Sequence, residues 1–131
     1  MEIAEIEKKY VDDLTELEDA GSQCDYLMML GMQRAQNADI RSEQFRIGGC
    51  KTAIWIKKEN SNGILKFTGD SDSLLVRGIL TILWEMYNGK DLQEIQNHVP
   101  GFLEYVSDEV IYPEIKHNGI LKCYQRLATF R

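Results

Sequence analysis

Three short runs of this 131-residue chain carry residue types that could do chemistry: Gly48-Gly49-Cys50, Asp70-Ser71-Asp72 and Lys116-His117-Asn118-Gly119. The first is the most pointed. Two glycines ahead of a cysteine let the backbone reach positive φ. Successive N–H groups can then converge on a concave surface that favours an anion. Arg46 and Lys51 add positive charge nearby in sequence. Both effects favour the thiolate, which is the nucleophilic form of cysteine. The same pattern also suits a small buried residue that closes a strand before a glycine turn, and local sequence leaves both readings open.

Cys24 and Cys123 read differently. Cys24 falls in the first turn of a predicted helix beside Asp25, whose charge disfavours a thiolate. Cys123 lies next to the apolar stripe of a predicted C-terminal helix, where cysteine behaves as a small hydrophobe. Three cysteines, with no CxxC or Cys/His pair at zinc spacing, argue against a disulfide framework or a structural zinc site. Asp70-Ser71-Asp72 offers side-chain oxygens and negative charge suited to the start of a helix, so a helix cap is expected there rather than a metal site. His98 and His117 have no cysteine at a pairing distance in sequence.

The elements that must position these groups follow from periodicity. Ile3, Ile6, Tyr10, Leu14 and Leu17 recur at helical spacing. Gly21 is expected to end that helix, and Ser22 to cap a second one bearing Tyr26, Leu27, Met29 and Leu30. Residues 52–57 alternate in the manner of a strand, and Asn62-Gly63 signals a hairpin turn before a returning strand over 64–68. Residues 44–47 read as a further short strand. A broad apolar stripe from Leu74 to Met86, closed by Gly89, predicts a long helix. A short helix is expected from Asp91 to about Asn97, a turn after Pro100, and a last helix from about Gly119 to Phe130. The expected architecture is α+β, a three-stranded antiparallel sheet with helices packed on one face, forming a single domain over residues 1–131.

Composition narrows the function classes. Hydrophobic residues at 44% supply a core and exclude a disordered chain. Fifteen basic against 21 acidic residues, a net charge of −6, argues against a general binder of nucleic acid or anionic membrane. No apolar run approaches the roughly 20 residues of a membrane span. The first residues, Met1-Glu2-Ile3-Ala4-Glu5, are acidic where a secretory signal is basic, so a cytoplasmic location is expected.

Taken together and in order, these motifs resemble the SufE-like sulfur-acceptor proteins of iron–sulfur cluster assembly. That family carries a glycine-cysteine loop leading to a strand with tryptophan, here Gly49-Cys50-Lys51-Thr52-Ala53-Ile54-Trp55. Its hairpin turn corresponds to Asn62-Gly63-Ile64, and its acidic run before a basic-glycine pair to residues 70–79. An upstream Y-L-x-x-L-G stands as Tyr26-Leu27-Met28-Met29-Leu30-Gly31, and the family's R-x-N-G as Lys116-His117-Asn118-Gly119, with Phe102 ahead of it. The match runs from about Tyr26 to Leu127. Three departures stand out. Thr52 replaces the usual serine but keeps the hydroxyl, Gly48 replaces a frequent proline, and Lys116 keeps the arginine's charge without its planar fork.

The resemblance implies a sulfur relay. A PLP-dependent, SufS-like cysteine desulfurase would hand persulfide sulfur to Cys50. The chain would stimulate that enzyme and pass sulfur to a SufB-like Fe–S scaffold. It would have no cofactor of its own, and it would act as a sulfur-transfer accessory rather than a free-standing enzyme. Gly48, Gly49 and Lys51 would form the loop, Asp72 would face a partner, and Lys116 would stand as a cation near the sulfur. The alternatives are a binding module that activates a desulfurase without carrying sulfur, and a thiol oxidoreductase or peroxide sensor. The latter usually needs a resolving cysteine or a supporting acid/base.

Overall fold

The computed structural model describes residues 1–34, 37–49 and 51–129. The first helix, α1 (Ile3–Glu16), buries Ile3, Tyr10 and Leu14 of the predicted stripe; Ile6 is half-buried, and Leu17, also half-buried, falls just past the helix end. Helix α2 (Ala20–Met32) starts earlier than Gly21 and Ser22 suggested. The Asp19 carboxylate accepts the Ser22 N–H at 2.7 Å, so Asp19 is the cap and Gly21 sits in the first turn. Strands β1 (Ile54–Ser61) and β2 (Ile64–Ser71) form an antiparallel hairpin, paired from Ile54↔Ser71 to Ser61↔Ile64. Asn62 and Gly63 both take positive φ, 53° and 81°, as a two-residue type I′ turn requires.

The sheet has two strands, not three. Where a third was expected, Glu43–Phe45 forms a 3-10 turn, and an isolated Arg46↔Trp55 bridge with an Ile47 N–H to Ile54 carbonyl bond of 2.8 Å joins this segment to β1 in place of a ladder. The opposite edge, that of β2, is occupied by the chain that follows the next helix, α3 (Leu74–Tyr87). Leu65 N donates to Lys90 O at 2.9 Å, Gly89 N to Leu65 O at 2.7 Å, and Phe67 N to Asn88 Oδ1 at 2.9 Å.

Alternation along the hairpin buries Ile54, Ile56, Leu65 and Phe67 on one face. Against that face lies α3, with Ile79, Ile82, Leu83 and Met86 fully buried. Helix α2 packs on α3 through two glycines. A methyl group at Gly78 would collide with the Leu27 carbonyl, and one at Gly31 would lie 2.5 Å from Leu74 O. The short α4 (Leu92–Gln96) is capped by Asp91 as predicted, and a 3-10 turn over Gly101–Tyr105 buries Phe102. The last helical run begins well before the expected Gly119. Pro113 opens α5 (Pro113–Ile115), a π segment follows over Lys116–Ile120, and α6 (Leu121–Leu127) completes it.

Candidate functional site

The glycine loop joins the 3-10 turn to β1, and Cys50 itself lies outside the described residues. Gly48, Gly49 and Lys51 are exposed. Gly49 has φ +87°, a conformation in which any side chain is strained, whereas Gly48 has open space around it. The last helical run holds the loop by its carbonyls. Arg126 donates through Nη1 to Phe45 O and through Nη2 to Arg46 O, both at 3.2 Å. One turn earlier, Lys122 Nζ reaches Gly48 O at 3.4 Å and crowds the Gly49 backbone. Asn118 O, in the π segment, lies 3.7 Å from where a Gly49 side chain would start. Lys58 on β1 fastens the far end of the same run, donating to Arg126 O and to Thr129 O at 2.8 Å. Burial first, then the neighbouring Arg126 charge, pushes the pKa of Lys58 down.

On the other side of the loop, Ser71 Oγ donates to Ala53 O at 2.6 Å and accepts the Ser73 N–H at 3.1 Å. Asp70 and Ser71 are therefore the last residues of β2, not a helix cap; the cap of α3 is Ser73, which accepts the Val76 N–H. The Asp70 carboxylate, 1% exposed, takes Arg41 Nε at 2.8 Å. Arg41 also donates to Ser71 O at 3.2 Å and stacks its guanidinium 4.9 Å from the centre of the Trp55 ring. An arginine, a buried aspartate and the strand tryptophan thus lock the segment leaving the loop. Asp72 alone of the acidic run is exposed.

Lys116 is buried, and its ammonium donates to Val106 O and to Asp108 Oδ1 at 2.9 Å. The π segment that carries it exposes His117 and Asn118, and Lys116 and His117 line a groove with Val99, Pro100, Leu103 and Leu121. The ammonium that meets the glycine loop is that of Lys122. Sequence reading passed over Lys122 and Arg126, yet two cations four residues apart share one helix face, and that spacing was the available signal. The other chemistry-bearing groups are engaged elsewhere. Cys24 Sγ lies 3.8 Å from Met28 Sδ, Cys123 is fully buried, and His98 Nε2 lies 2.8 Å from a Glu7 oxygen. Among the described residues no three His, Cys, Asp or Glu side chains gather as metal ligands, and no helix is long and apolar enough to cross a membrane.

The site therefore consists of a glycine loop fastened at both roots and placed against the middle and end of a helical run interrupted by a π segment, a feature frequent at functional sites. In fold, the chain is similar to the solution structure of a hypothetical protein from Thermus thermophilus, with a TM-score of 0.70 and 17% identity over 94% of this chain and 90% of that one. Residues 8–129 match the family model SufE, the Fe-S metabolism associated domain, and that match spans the hairpin, the glycine loop and the helical run against it: the chain belongs to the SufE family.

Proposed function

We propose that this protein is a sulfur carrier in Fe–S cluster assembly, with Cys50 as the acceptor. Its membership of a family associated with Fe–S metabolism carries the reading, and the exposed Gly49 immediately before the cysteine, held at a positive φ that glycine alone adopts readily, supports it. The donor is a PLP-dependent cysteine desulfurase of the SufS kind, which this chain stimulates, and the receiver is a SufB-like scaffold. In the transfer step the Cys50 thiolate attacks the outer sulfur of the desulfurase persulfide. A new S–S bond forms at Cys50 Sγ, the S–S bond on the enzyme breaks, and the enzyme's own sulfur leaves as a thiolate. The transferred sulfur keeps its proton, so no outside oxidant or reductant enters. The rate follows the ionisation of the attacking thiol, the quality of the leaving thiolate and access. Gly48 and Gly49 give the loop the freedom to reach first a donor and then a receiver. The exposed Lys51 and Asp72 are the residues offered to those partners.

Mass spectrometry after incubation with a cysteine desulfurase and L-cysteine tests this. One added sulfur on the peptide containing Cys50, absent in Cys50→Ser, is the expected result. An adduct confined to Cys24 or Cys123, or none, overturns it. A Cys50→Ser protein that stimulates the desulfurase as well as the parent does would instead favour a binding module that carries no sulfur.

A further inference from the structure

A second cluster of cations lies where α3 meets β2 and the residues just past α2. Arg34, Asp70, Arg77 and Trp84 line a narrow cleft there, together with Gly69 and Leu80. The Trp84 indole donates to Phe67 O at 3.1 Å, which fixes the ring, and the Arg34 guanidinium lies 4.2 Å from the ring centre. Burial lowers the pKa of Arg34, and the nearby Glu85 charge offsets this in part. Asp70 is already committed: its Oδ2 takes Arg41 Nε at 2.8 Å, and its Oδ1 takes the Ser71 N–H at 2.9 Å. Arg77 is the anomaly. Its Nε is buried without a hydrogen-bond partner, the one such side-chain atom among the described residues. A buried donor left unmet is costly, and native proteins rarely keep one without a bound species to receive it. Three guanidiniums, those of Arg34, Arg41 and Arg77, thus stand against the carboxylates of Asp70 and the exposed Glu85. The local balance is positive in a chain whose net charge is −6.

We propose that the Arg34–Arg77 cleft binds a single carboxylate group, carried by a small organic acid or by an aspartate or glutamate side chain of a protein. The Nε–H and one Nη–H of an arginine point the same way, an edge that takes both oxygens of a carboxylate through parallel bonds. The interior measures about 10 Å³, space for one water-sized atom. One oxygen therefore enters to reach Arg77 Nε, and the second stays at the mouth. Arg34, held over the Trp84 ring, supplies the second cation. Asp70 in the wall sets the charge of the ligand. It repels a dianion about twice as strongly as a monoanion, which favours a carboxylate over a phosphate. The inference uses neither Cys50 nor its loop, so it stands or falls apart from the sulfur-carrying role.

The test follows the Nε–H nuclear magnetic resonance of Arg77 in isotope-labelled protein, assigned by its loss in Arg77→Lys. Sodium acetate replaces sodium chloride at constant ionic strength and neutral pH. The resonance should move saturably, with half-saturation on the order of 10 mM. The Arg41 Nε–H, already held by Asp70, should stay nearly still. Arg34→Gln should weaken acetate binding about threefold. A glutamate capped at both ends separates the two sources: tighter binding than acetate assigns the cleft to a protein side chain, and equal or weaker binding assigns it to a small acid. A resonance that only drifts linearly with acetate overturns the proposal. So does one that keeps its magnetisation transfer to a trapped water at every acetate concentration, for the cleft would then hold structural water alone. Tighter binding of inorganic phosphate than of acetate overturns the carboxylate assignment. The titration of the parent protein decides the matter even where a variant fails to fold.

Discussion

Where α2 meets α3, Gly31 and Gly78 bring main chain against main chain, and neither site has room for a single added carbon. Where the glycine loop meets the last helical run, contact is made by the far ends of two long cationic side chains, Lys122 and Arg126, on carbonyl oxygens. Both seams depend on glycine, but for different reasons. The first uses it to remove volume, so its geometry cannot be adjusted without moving a helix. The second uses it for a backbone conformation, and the side chains that grip it can follow a moving loop through many rotamers. A rigid seam supports the scaffold, and a compliant one lies beside the residue proposed to carry sulfur.

That contrast can be broken most forcefully at Gly78. Gly78→Ala forces a methyl into the Leu27 carbonyl and should destabilise the fold by about 3 kcal/mol, the upper part of the range for overpacking. Thermal unfolding would register this as a fall on the order of 10 °C; a fall of only a degree or two would mean the helices slide apart freely. At the compliant seam, Arg126→Ala removes two hydrogen bonds and should cost about 1–2 kcal/mol. Amide exchange should speed up mainly at residues 45–49, since the helix itself keeps its core contacts; uniform acceleration through α6 would contradict the division drawn here. The smallest effects come from the two loop glycines. Gly49→Ala meets the positive φ and should cost about 1 kcal/mol. Gly48→Ala, with open space around it, should change stability by less than about 0.5 kcal/mol. Equal effects at the two positions would show that the conformation of Gly49 is not needed.

Much of the scaffold was legible because it rests on local signals. The stripe of α1, the Asn62-Gly63 turn and the Asp91 cap each appear where periodicity and turn chemistry indicated. What sequence concealed were choices made by distant partners. Residues 44–47 read as a strand, but Arg126 takes the carbonyls of Phe45 and Arg46, and the segment bends into a 3-10 turn instead of pairing along β1. Asp70 and Ser71 read as a cap, but Arg41 and the Ala53 carbonyl draw them into the sheet and leave the cap to Ser73. Gly21 read as a terminator because the pull of Asp19 on Ser22 was overlooked. At the site, Gly48, Gly49, Lys51 and Asp72 are exposed as a partner-facing reading needs, while Lys122 was missed because its significance lies in a contact 74 residues away in the chain.

The bonds from Asn88, Gly89 and Lys90 to β2 bear on how this protein behaves at high concentration. A two-stranded hairpin normally offers two rows of unmet main-chain groups, each able to recruit a strand from another molecule. Here the row along Leu65 and Phe67 is already filled by its own chain. The other side, over Lys57, Lys58 and Glu59, carries charge that discourages stacking. Built-in protection from edge-to-edge polymerisation lets so small a sheet serve as a base for the exposed glycines of the loop without turning the protein into a seed for fibrils.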